Sequence, residues 1–295
     1  MRNKLFFLLV LSALVMGSLG GGSGAYAHIL NEKTQFADIA SSPYAADIVY
    51  LTALNIIPQT PTFEPEAPLT MKDLAAWLAL FHRLGQGGET PDDLKVLQEK
   101  ALQEGLVPSL QGNGTWQGVA TYFFAGKVSL EGQNPEAVPQ KGEAAAFIAA
   151  HMDGAMLKEL GAEPGPTGQV EAVHGEEGHG DHHGSYLMVI GGQEYPLDPH
   201  TRVVGPQDLT QWEGLYVVRS LMAAEGSEAH HGVFFLQAGE PPAAEGEAPA
   251  SPAPGQDQPE TEEPPASSSA SIWLLGLGGG AVVLALILFA GRRMR

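Results

Sequence analysis

The sequence predicts a multi-domain α + β protein: a helical region, a small antiparallel β-barrel or sandwich, a disordered linker and one transmembrane helix. Three observations carry that expectation. Apolar residues recur at helical spacing through the first half of the chain. Six short strand-like runs, bounded by turn residues, crowd into residues 167–238. A charge-free apolar run of spanning length, Ile272 to Ala290, follows a stretch rich in Pro, Ala, Glu and Ser.

At the N-terminus, Arg2 and Lys4 form a positive n-region and Leu5 to Met16 an apolar h-region. Ala25-Tyr26-Ala27 supplies an A-x-A cleavage pattern, so residues 1–27 read as a secretory signal and His28 opens the mature chain. The chain carries 15 Lys and Arg against 34 Asp and Glu, and five of the basic residues lie in the signal and the C-terminal tail. An acidic ectodomain of this kind excludes nucleic acid, which requires basic patches to displace counterions. It also excludes bulk adsorption to anionic lipids or wall polymers, so any anionic partner must be bound locally. Cysteine is absent, which removes disulfides, thiolate metal sites and Cys nucleophiles.

The helical region covers residues 34–160. Phe36-Ala37-Asp38-Ile39 precedes a helix from Tyr44 to Leu54, in which Ala45, Ile48, Leu51 and Leu54 share one face. Asn55-Ile56-Ile57-Pro58 ends it, and Phe63-Glu64-Pro65 leads toward a second helix. There Leu74, Trp77, Leu78 and Phe81 share a face, Thr70 is the expected N-cap and Asp73 its reciprocal partner. A further stretch follows, from about residue 93 to 153. It has a helix near Leu94 to Glu104, a Gly105-Leu106-Val107 turn, an extra segment, then Gln140-Lys141-Gly142-Glu143 before a helix from Ala144 to Met152.

Glu163-Pro164-Gly165-Pro166 marks a boundary. The strand-like runs beyond it are 168–173, 186–190, 194–197, 202–204, 214–219 and 233–236, with Gly191-Gly192 as a hairpin turn. Their rhythm is OB-like. Two loops interrupting the first and last hairpins hold six of the ten histidines: His174, His179, His182 and His183 in one, His230 and His231 in the other. His200 lies in another loop, whereas His28, His82 and His151 are isolated. Imidazoles beside carboxylates suit copper, zinc or nickel, and the two loops would share one site if both lay at the same end of the barrel.

Residues 239–271 cannot bury a core and read as an extended, self-repelling spacer. After the 272–290 span, Arg292, Arg293 and Arg295 place the tail, 291–295, in the cytoplasm and all that precedes the span outside. Gly276-x-x-x-Gly280 is a weak signal for dimerisation through that helix.

The helical region resembles the S-layer homology repeat over about 120 residues, as two diverged units of about 34–88 and 93–153. That family opens with Phe-x-Asp-Ile/Val, runs a helix, shows Phe-x-Pro, and enters a second helix through a Thr-Arg-Ala-Glu-like motif. The resemblance implies a three-pronged helical bundle that binds secondary cell-wall polymer through a basic side chain and a helix N-terminus. Carried onto this chain, the implied wall-polymer residues are Thr70, Lys72, Lys141 and Glu143, with Met71 standing where the family places Arg. No Gly-x-Ser-x-Gly, phosphate loop or His-Glu-x-x-His appears, and no enzyme is expected. The expected role is a membrane-anchored extracytoplasmic tether to a cell-wall polymer or surface-layer protein. The alternatives are an envelope protein binding copper, zinc or nickel, and an accessory subunit of a membrane complex.

Overall fold

The computed structural model describes residues 29–85, 90–175, 186–228 and 230–242. The expected signal peptide, most of the expected linker, and the helix and tail expected at 272–290 and 291–295 lie outside the described residues. Among those described, no helix is long and apolar enough to cross a membrane.

After a two-residue strand β1 (Leu30–Asn31), the chain forms α1 (Ala45–Ala53), α2 (Met71–Phe81), α3 (Pro91–Gln103), α4 (Trp116–Phe124), α5 (Lys141–Ala150) and α6 (Gly154–Glu159). Side-chain caps start several of these helices. Thr70 and Asp73 form the reciprocal capping box expected for α2, and Thr90 with Asp93 repeats it on α3. Between α3 and α5, Thr115 accepts the Gly118 N–H and starts α4, which buries Trp116, Val119, Ala120, Phe123 and Phe124. Burial on α1 is wider than the expected stripe. Ile48, Val49, Tyr50 and Leu51 are all buried, because α1 packs on α5 on one side and on the strands at residues 193–204 and 233–239 on another.

Two of the sequence features that precede the second helix are physically joined. Both carboxylate oxygens of Asp38 accept backbone N–H bonds, from Phe63 at 2.9 Å and Glu64 at 2.7 Å. The rings of Phe36 and Phe63 meet edge to face at 5.8 Å. One carboxylate thus fixes the approach to α2, holding Glu64 at φ 61°.

The second half contributes β2 (Ala162–Pro164), β3 (Gly168–Gly175), β4 (Tyr186–Ile190), β5 (Gln193–Val204), β6 (Tyr216–Ala223) and β7 (Val233–Gly239), with a 3-10 turn at Leu209–Trp212. Together with β1 they make a seven-stranded, mostly antiparallel sheet, in line with the expected order of helices before strands. Pairing runs β3 to β4, β4 to β5, β5 to β7, β7 to β6 and β6 back to β3, a closed circuit. The β5–β7 step is parallel; the other four are antiparallel. Gly191 and Gly192, at φ 60° and 73°, make the two-residue turn between β4 and β5 that only residues tolerant of positive φ can form.

The runs expected at 194–197 and 202–204 are one strand. Asp198-Pro199-His200 does not break it, since the ladder to β7 shifts register there and a missing proline N–H costs no sheet bond. The Asp198 side chain, meanwhile, takes up the His200 N–H at 2.8 Å.

Helices and sheet share a core. Phe234 and Phe235 of β7, Leu221 of β6 and Ala162 of β2 belong to the same buried cluster as α1, α2 and α5. Val233 and Leu236 belong to a second cluster with Val170, Met188, Val203, Trp212 and Val217, which fills the circuit. β7 is therefore apolar on both faces, which explains its unbroken Val-Phe-Phe-Leu run.

Two consequences are measurable. Asp38→Ala should cost about 2 kcal/mol by orphaning two N–H groups from a charged acceptor, read as a lower denaturation midpoint; Asp38→Asn, which keeps one acceptor, should lose less. Gly142 on α5 is buried with no room for a Cβ against the Tyr44 ring, so Gly142→Ala should destabilise by roughly 1–3 kcal/mol in the same assay.

Candidate functional site

The first candidate lies where three helix N-termini meet. Isolated bridges pair Pro68 with Gln140 and Thr70 with Asn113, so the segments entering α2 and α5 run side by side and the chain entering α4 lies next to them. The Leu69 N–H bonds Pro139 O at 2.9 Å, Lys141 N–H bonds Ala67 O at 2.9 Å, and Gly114 N–H bonds Leu69 O at 2.9 Å. Lys141, the first residue of α5, is thereby delivered to the first turn of α2.

Its ammonium sits 3.6 Å from Asp73 and 3.8 Å from Glu64, and 5.1 Å from the centre of the Phe63 ring. The Lys141 side chain is only 12 % exposed, whereas Glu64 is 68 % exposed, so Glu64 is the partner free to swing away. These groups line a cleft of about 280 Å³ with Trp77 of α2 and Leu94 and Gln98 of α3. Thr60 and Thr62 add hydroxyls to its rim. One ammonium against two carboxylates, with hydroxyls and an amide around them, offers donors and acceptors to a hydroxyl-rich ligand.

The sequence-expected residues divide. Thr70 and Lys141 converge here through Asp73, whose carboxylate also accepts from the Thr70 hydroxyl at 2.6 Å. Glu143 accepts the Gln140 N–H at 2.9 Å and so starts α5 without lining the cleft. Lys72 is exposed and also does not line it. Glu64 and Asp73 carry the charge that balances Lys141, a role the motif alone does not assign; the close pairing of the two pre-helix segments creates it.

The histidine loops are arranged differently. His174 sits near the end of β3, opposite Leu187, while His179, His182 and His183 lie outside the described residues. β3 and β6 are antiparallel, with Gly168 opposite Val217, so β3 leaves toward its loop in the direction opposite to β6. The two loops therefore leave from opposite ends of that strand pair, and the condition for one shared site is not met by the strands. Among the described residues, no group of three or more His, Asp or Glu is placed to hold a metal ion.

The loop after β6 instead closes on Asp198, a residue with no recognisable motif around it. Asp198 is 5 % exposed. It accepts the N–H groups of His200 at 2.8 Å and His231 at 3.0 Å, and the His230 Nδ1 lies 3.6 Å away, an ionic approach rather than a hydrogen bond. The His230 ring stacks on Phe234 at 4.0 Å. Burial raises the Asp198 pKa, but the His230 side chain and the two N–H groups outweigh it and hold the carboxyl at about 2, down from 3.8.

A depressed carboxylate pKa stabilises the fold above the unfolded pKa, and that contribution disappears as pH falls through the folded one. Asp198 should therefore supply roughly 2 kcal/mol at neutral pH that is lost as acid titrates it. Acid unfolding followed between pH 4 and pH 2 should show this component, and Asp198→Asn should remove it. An unchanged acid profile in the variant would place the sensitivity elsewhere.

Comparison with family models, characterised proteins and solved structures finds no match to this chain.

Proposed function

We infer that the protein is a membrane-anchored tether of the cell envelope, its helical region a diverged S-layer-homology-like module and its β region an OB-like barrel. The carrying observation is the convergence of the α2, α4 and α5 N-termini, which presents Lys141 beside Phe63 in a cleft lined by Glu64 and Asp73. Such a cleft suits a glycan. Hydroxyls of a sugar can accept from the ammonium and donate to the carboxylates, and an acidic substituent can replace Glu64 at Lys141. The closed five-strand circuit, with its one parallel step between the third and fifth of those strands, supports the OB-like reading. The signal peptide and the 272–290 helix would hold both regions on the outer side of the membrane, spaced by the linker.

Co-sedimentation of the detergent-solubilised full chain with purified wall sacculi tests the tether. Binding is expected. Below the denaturation midpoint of the variant, Lys141→Ala should lower retention about 10-fold, and Lys141→Arg, which keeps the charge, should lose less. A full chain that stays in the supernatant, or a Lys141→Ala variant retained like the parent, would remove the cleft from the function.

A further inference from the structure

A second cavity of about 490 Å³ opens on another part of the same compact unit, between the C-terminal ends of α1 and α2 and the sheet. Asn55, Arg83, Leu160, Arg202, His230 and Phe234 are among the residues that line it. Arg83 ends the α2 segment at φ 58° and donates to the Leu160 carbonyl at 2.8 Å. Arg202 projects from β5, donates from Nη2 to Gln59 at 3.1 Å, and keeps a buried Nε with no partner. Among the described residues, neither arginine lies within ion-pair distance of a carboxylate. That is anomalous in a chain with 34 acidic residues and 15 basic ones.

Asp198, whose charge acts on Arg202, is committed to the His200 and His231 N–H groups and to His230. It weakens the positive field at Arg202 without pairing with it. With Nδ1 of His230 turned to Asp198 and the ring flat on Phe234, Nε2 is the ring nitrogen left without a partner among the described residues. The side-chain amide of Asn55 adds a further donor at the wall. Two guanidinium groups, an amide and an imidazole thus share one concave space, and the planar N–H fork of a guanidinium suits the oxygens of an oxyanion.

We propose that this cavity binds a small oxyanion, a phosphate or carboxylate group, between Arg83 and Arg202 with His230 and Asn55 at its edge. The site is independent of the Lys141 cleft. An acidic chain repels free anions at long range, so binding here depends on local charge and desolvation, and it weakens with salt only modestly compared with a surface patch.

Isothermal titration of the full chain with inorganic phosphate and, separately, with malonate tests the site and distinguishes the two chemistries. Saturable one-to-one binding of at least one of them is expected. Arg83→Gln should weaken it by at least about 10-fold, with Arg202→Gln weakening it similarly. Lys95→Gln, the same charge change at a solvent-exposed helix position, should leave the affinity unaltered. Arg83 is exposed, so its variant is expected to keep the thermal midpoint and report on binding alone. Absence of saturable binding of both anions, retention of binding in Arg83→Gln, or an equal loss in Lys95→Gln would overturn the proposal.

Discussion

Helix α1 is the constraint on which the rest of the structure depends. It is wedged between α5 and the sheet, and its buried residues face both. Arg219 of β6 fastens it: the guanidinium pairs with Asp47 at 2.9 Å and lies 4.3 Å from the Tyr50 ring centre. Tyr50 in turn meets Phe235 edge to face at 5.3 Å. The helix is nine residues long, too short to persist alone in water, so its stability comes from these contacts. The same packing fixes where the sheet stands relative to α2, and hence the walls of the Arg83–Arg202 cavity.

The placement of positive charge follows a pattern. Several of the few cations in an acidic chain stand at junctions between elements: Arg219 between α1 and the sheet, Lys141 between α2 and α5, Arg83 beside the end of α6. Two of these are paired with carboxylates and act as local fasteners. Arg202 differs, for its burial lowers its pKa and nearby Asp198 offsets only part of that cost. A charged group held out of water without an ion-pair partner is expensive, and such expense is characteristic of a site awaiting a ligand.

The two candidate sites rest on different physics. In the Lys141 cleft the cation already has carboxylate partners, so a ligand must exchange with Glu64, and hydrogen-bond geometry governs selection. The Arg83–Arg202 cavity lacks its counter-charge, so the ligand completes it. One favours a polymer that offers many weak contacts; the other favours a small group with concentrated charge.

Local patterns determined much by themselves. The Thr70–Asp73 capping box, the α1 and α2 stripes, the Gly191-Gly192 turn and the order of helices before strands are each written within a few residues, where backbone stereochemistry and period leave little choice. Lys141 was legible as a functional candidate for the same reason, sitting in a recognisable helix-entry motif. Tertiary structure decided the rest. Thr115 starts a helix in a segment where the pattern suggested only an insertion, and the two runs flanking Asp198-Pro199 fuse into one strand through a register shift. The histidines at 230 and 231 close on a buried carboxylate, because the direction of β6 carries them away from His174. Arg83 and Arg202 share a cavity although more than a hundred residues separate them. No local signal records such a meeting, since it is set by how α1 packs helices against strands.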